Sequence, residues 1–174
     1  MNEPNQKKEG ELRPEGFPSP PLILVVDPDE NIRRLLQFNL KRSGCEAVLA
    51  RDGEQALRLL DQHREVHLVV LLLRLPGLTG LETLRRIRAR ADPPSVIVMA
   101  AEATLEEAVT CLKMGAYDFV RKTNGFDDLR LSIRNALQAI ALRKEVADLR
   151  ARLEEQDTHF PEIVSRSPAM TQVK

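Results

Sequence analysis

Short apolar runs alternate with amphipathic stretches from Leu22 to about Leu142, and two periods can be separated along the chain. Leu22-Ile23-Leu24-Val25-Val26 is a continuous β-favouring run, as expected of a strand covered on both faces. Ile32, Leu35, Leu36, Phe38 and Leu40 are the apolar positions of a helix that Asp29 or Glu30 opens and Ser43-Gly44 closes. A short strand near Ala47 to Ala50 precedes a helix from Asp52-Gly53 through His63, with Ala56, Leu57, Leu59 and Leu60 inward. The run Leu68 to Leu73 is unbroken and apolar, which predicts a central strand. Leu75-Pro76-Gly77 makes a turn, a helix follows over about Leu81 to Arg90, and Asp92-Pro93-Pro94 breaks it. Ser95 to Ala100 reads as a strand, Leu105 to Met114 as a helix and Tyr117 to Val120 as a fifth strand. A last helix starts near Phe126-Asp127. Such alternation predicts an α/β fold: a five-stranded, doubly wound parallel sheet with helices on both faces.

The flanks read differently. Residues 1–21 hold Pro4, Pro14, Pro18, Pro20 and Pro21 among polar residues, and the segment is expected to be a disordered tail. The α/β domain is then 22–142. Beyond it, Leu142, Val146, Leu149 and Leu153 continue at 4-3-4 spacing among charged residues, so 143–158 reads as a helical linker with a short heptad seam. A stripe with no core beneath it needs a partner, and a parallel homodimer supplies one. The competing reading is a solvated charged helix, because a seam of under two heptads is marginal alone.

Composition narrows the field. Hydrophobic residues make up 43% of 174 and aromatics 3%, with no Trp, so the core is aliphatic. The 26 basic and 26 acidic residues cancel, which gives no reason to expect direct nucleic-acid contact or attraction to an anionic membrane. Cys45 and Cys111 have no metal-type spacing and read as reduced thiols. Neither a signal peptide nor a spanning segment is visible, so a soluble, cytoplasmic protein is expected.

In doubly wound sheets, chemistry sits at the carboxyl ends of the strands. Asp27 follows the first strand, Leu72-Leu73-Arg74 ends the third, Ala100-Ala101-Glu102 ends the fourth, and Lys122 follows the fifth. An Asp–Lys pair above the sheet is by itself more often a structural ion pair than a catalytic one. The segments Ile23 to Asp27, Leu75 to Gly80 and Lys113 to Lys122, in this order and spacing, resemble the response-regulator receiver family over roughly Leu22 to Leu142. The resemblance implies a flavodoxin-like receiver fold and a two-component signalling role. In that family an acidic pair and an acceptor aspartate bind Mg²⁺, the acceptor takes a phosphoryl group, and a hydroxyl residue and a lysine contact it. Carried over, Asp27 and Lys122 are kept. Pro28 stands at the second acid, Leu72 at the phospho-acceptor, Ala100 at the hydroxyl position, Phe119 at the switch aromatic, and Thr123 where a proline usually follows the lysine. The Mg²⁺ site is therefore expected to be lost and no cofactor is expected.

Two replacements for the lost groups are conceivable from sequence. Asp29 offers an alternative acceptor, against its plainer reading as a helix-start residue, and Glu102 reads as a loop acid. Arg74 or Lys122 is a candidate cation substitute that pairs with Asp27. The tail from Phe160 to Lys174, with Ile163-Val164 and Ser167-Pro168-Ala169-Met170, resembles the opening of the AAA+ domain of sigma-54-dependent transcription activators, so 159–174 reads as its truncated start. No Gly-x-x-x-x-Gly-Lys-Ser/Thr loop is present. The expected function is a non-enzymatic pseudo-receiver that regulates such an activator through dimerisation and contact with a sensor kinase or other signalling protein. A nucleotide binder on the same topology is disfavoured, since acidic Asp27-Pro28-Asp29-Glu30 occupies the place of a phosphate-cradling loop.

Overall fold

The computed structural model describes residues 11–122 and 125–159, with side chains as far as Gln156. Thr123 and the segment Phe160 to Lys174 lie outside the described residues. The elements run β1 Leu22–Val26, α1 Glu30–Arg42, β2 Glu46–Ala50, α2 Gly53–Gln62 and β3 Leu68–Leu72. They continue as α3 Gly80–Arg88, β4 Ser95–Ala100, α4 Leu105–Lys113, β5 Asp118–Arg121 and α5 Asp127–His159. The strands form one parallel sheet in the order β2-β1-β3-β4-β5. This is the flavodoxin-like receiver topology, with a long C-terminal helix.

Period-2 alternation sorts the sheet into two faces. Leu24, Val26, Val69, Leu71, Val96, Val98 and Ala100 join Ala56 and Leu60 of α2, Leu84 and Ile87 of α3 and Cys111 of α4 in one buried cluster. Ile23, Val25, Leu68, Val70 and Ile97 alternate to the other face and are buried as well. Each of the first four helices opens on a side-chain cap: Asp29, Asp52, Thr79 and Thr104 accept backbone N–H groups of their first turns. Burial pushes the Cys45 thiol up to about 12, with Glu11 and Glu46 adding to the effect, so it is an inert core group.

One expectation needs correction, and α1 buries fewer residues than its apolar positions number. In α1 only Leu36 and Leu40 are buried, whereas Leu35 and Phe38 are 56% and 58% exposed. The buried stripe is a single i,i+4 row, and Phe38 instead lies under the Arg42 guanidinium. The N-terminal segment is not a solvated tail over residues 11–21. Leu12 and Phe17 are only 2% and 6% exposed, the Leu12 N–H donates to Ser43 O, and Arg13 donates to Phe17 O. Phe17 also meets His67 edge-on at 5.0 Å. Two apolar anchors with paired backbone groups offset the ordering cost of this strap. Leu12→Ala is expected to cost about 2 kcal/mol, the low end for a buried leucine because a peripheral strap can settle into the gap. Urea denaturation measures it, and an unchanged midpoint would mean the strap contributes nothing.

The chain divides into two compact units, residues 1–138 and 139–174, where the sequence reading put the end of the domain at Leu142. Within the first unit, α5 buries Leu129, Ile133, Ala136 and Leu137. In the second, Leu142, Val146, Leu149 and Leu153 are all exposed. Among the described residues no helix is long and apolar enough to cross a membrane.

Candidate functional site

Five strand-to-helix connections build the edge at the carboxyl ends of the strands. β1 ends at Val26, and the Asp27 N–H donates to Ala50 O at the end of β2. Asp27 is 1% exposed. Its Oδ1 accepts the Asp29 N–H at 2.9 Å, its Oδ2 accepts Lys122 Nζ at 2.8 Å, and its carbonyl accepts Arg33 Nη1 at 2.8 Å. Lys122 is held in turn by its own N–H, which donates to Ala100 O, and its side chain is 27% exposed. The acid and the lysine are 95 residues apart in sequence.

Leu72 closes β3 opposite Met99 of β4. Since Val26 pairs with Leu71, Asp27 and Leu72 are the next positions along neighbouring strands and share one face. Leu72 is 9% exposed and offers no polar atom beyond its backbone. Ala100 ends β4 at 0% exposure, and Pro28 is exposed beside Asp27. Phe119 is half-buried against the cluster containing α2, α3 and α4.

Beneath the site, α3 presses its first residue against the end of β3. The Gly80 N–H donates to Leu73 O, and a Cβ at Gly80 would collide with that carbonyl and stand 2.7 Å from Leu72 O. The second glycine of the Leu75–Gly80 turn is thus required by close backbone approach.

The two candidate cations part ways. Lys122 pairs with Asp27. Arg74 does not: its Nη2 reaches both Glu107 carboxylate oxygens, at 2.8 and 2.9 Å, joining the loop after β3 to the first turn of α4. Arg74 is 67% exposed, so the earlier expectation that it reaches Asp27 is corrected by geometry. Asp29 serves as the α1 cap, its Oδ1 accepting the Asn31 N–H, and Glu102 is exposed. Arg33 and Glu107 were not singled out from the sequence. A strand-end carbonyl in need of a donor, six residues before an arginine on the next helix, was the available signal for Arg33.

Residues 23–134 match the response regulator receiver domain, so the chain belongs to that family. Its five-stranded parallel sheet is the receiver fold. Regulatory protein AtoC of Escherichia coli (strain K12) is 35% identical over 152 residues, 87% of this chain and 32% of the relative. NtrX from Brucella abortus, solved in complex with ADP, has a TM-score of 0.69 at 34% identity, over 78% of this chain and 30% of that one. A response regulator receiver domain protein from Clostridium thermocellum has a TM-score of 0.66 at 28% identity, over 70% of this chain and 98% of that one. The chain spans about a third of the length of the first curated relatives it matches.

Proposed function

We propose that this chain is a pseudo-receiver: a receiver domain that takes up no phosphoryl group and regulates a sigma-54-type activator through protein contacts and dimerisation. Leu72 carries the reading. An alkyl side chain has no lone pair with which to attack a phosphoryl donor or coordinate a cation, and it shares a strand face with Asp27. The Mg²⁺ that receivers use does not fit the residues present. Asp27 is the only acid among Asp27, Pro28 and Leu72, and both its oxygens already have partners. Mg²⁺ demands several oxygens in near-octahedral array, and among the described residues no group of three or more His, Cys, Asp and Glu is placed to hold a metal. Ala100 removes the hydroxyl as well. Lys122 then neutralises Asp27 directly.

The alternative, phosphorylation at Asp29, is opposed by that residue's role as a cap. The partners are a second copy and a sensor kinase or other signalling protein. The exposed Leu112 and Lys113 at the end of α4 and Leu131 of α5, with Phe119 of β5, offer the surface for the latter. Neither nucleic acid nor a membrane is a direct partner in this reading. The sigma-54 assignment rests on the resemblance of the Ile163 to Val173 segment to an AAA+ opening and on the order receiver, helix, AAA+ start.

Incubating the chain with a small acyl phosphate and Mg²⁺ and weighing it intact tests the proposal. The expected mass is unchanged. A gain of one phosphoryl group overturns it, and Asp29→Ala then reports whether Asp29 is the acceptor.

A further inference from the structure

Helix α4 is thinly held at the end nearest the site. Its one fully buried residue is Cys111, in the last turn, where the Ala116 N–H also donates to Cys111 O. Gly115, in the left-handed region at φ 102°, makes that closing turn possible. The first turn has no such anchor. Leu105 is 82% exposed, Glu106 is exposed, and Ala108 is only half-buried. The connection from β4 contributes Ala103, which packs partly against the core, and Thr104, whose Oγ1 accepts the Glu107 N–H at 3.1 Å. A helix end with so little buried apolar surface opens at small cost.

Arg74 and Glu107 supply the missing anchor. The 2.8 and 2.9 Å contacts of Arg74 Nη2 cross from the loop after β3 to this first turn, and the Glu107 side chain is 29% exposed. Among the described residues, no other side-chain hydrogen bond or ion pair joins α4 to another element: Thr104 caps its own helix, and Thr110 Oγ1 donates back to Glu106 O. Glu107 is the third residue of α4, where the helix dipole also favours a carboxylate. From this end Leu105, Val109 and Leu112 follow at i, i+4 and i+7, at 82, 39 and 47% exposure. Whatever fixes the first turn fixes how that apolar stripe is shown.

We infer that Arg74 and Glu107 form a latch that holds the first half of α4 to the end of β3 and so sets how the Leu105–Val109–Leu112 stripe is presented to a protein partner. The inference rests on the pseudo-receiver reading above and adds the device that keeps its surface in one state. Arg74 acts here as a positioning residue, through Glu107.

Backbone hydrogen exchange of the 174-residue chain, followed by NMR with no phosphodonor present, tests the latch. The amides to watch are Ala108 to Leu112, whose carbonyl partners begin at Thr104 O. Arg74→Ala is expected to speed their exchange about threefold, the size of an exposed ion pair, and to leave β1 and β3 unchanged. Arg74→Lys keeps the charge and is expected to keep the protection. Salt at about 1 M is expected to speed exchange in the wild type but not in Arg74→Ala, because it screens the same pair. Glu107→Gln also speeds exchange, and adding Arg74→Ala to it is expected to change nothing further, since one interaction is lost only once. Unchanged exchange in Arg74→Ala, or additive effects in the double variant, overturns the latch. Intact mass after exposure to an acyl phosphate reports separately on the pseudo-receiver reading.

Discussion

Lys122→Ala is expected to lower the unfolding free energy by about 3 kcal/mol, whereas replacing Asp27 and Lys122 together by Leu and Met leaves it close to wild type. The asymmetry follows from burial. Asp27 is 1% exposed and Lys122 is 27% exposed at its side chain, so the lysine can find water and the aspartate cannot. Removing the lysine strands a carboxylate whose remaining side-chain partner is one backbone N–H, that of Asp29. The residual access to water places the loss at the low end of the range for broken buried pairs. The double replacement abolishes the charge instead of stranding it, and the two methylene-rich side chains fill similar volume. Urea denaturation with unchanged m-values reads both results. If Lys122→Ala melts like the wild type, water already compensates Asp27, and the lysine is not the cation that keeps it charged.

That pair also shows what a sequence can and cannot reveal. Asp27 and Lys122 were legible because parallel strands β1 and β5 both end on the same edge, a property of the topology that the alternating runs already implied. The partner of Arg74 was not. Its acid, Glu107, lies 33 residues away on the helix after β4, and several acids stood equally well placed on paper. The strap was missed for another reason. Leu12 and Phe17 are isolated among prolines and charges, so no period signals them, and their burial comes from tertiary contact with Ser43 and His67. The strands were plain because runs buried on both faces leave no polar interruption. Helix α1 has five apolar positions, while the chain buries only Leu36 and Leu40 fully. Periodicity locates an element well and measures the width of its buried face poorly.

Restoring the missing groups is expected to turn an unreactive pocket into a reactive one. Leu72→Asp alone places a second carboxylate one strand away from Asp27, whose carboxylate already holds Lys122 while Arg33 is bound to its carbonyl. Two like charges competing for one lysine in a poorly solvated site are expected to cost about 2 kcal/mol or more, with little phosphoryl uptake. Adding Pro28→Asp supplies a further acid at an exposed position next to Asp27, so that a divalent cation becomes the favourable neutraliser. Ala100→Ser, preferred over threonine because the site is 0% exposed and threonine would overpack it, returns the hydroxyl. Intact mass after exposure to a small acyl phosphate is expected to show one added phosphoryl group on the triple variant, lost when a chelator is present, and none on the wild type. The triple variant is also expected to regain stability on adding Mg²⁺, because binding to the folded state alone favours it. A triple variant that melts cooperatively yet takes up no phosphoryl group would mean that the end of β3 is not the blocked position. The inertness of the pocket would then have a cause other than an alkyl side chain in place of a carboxylate.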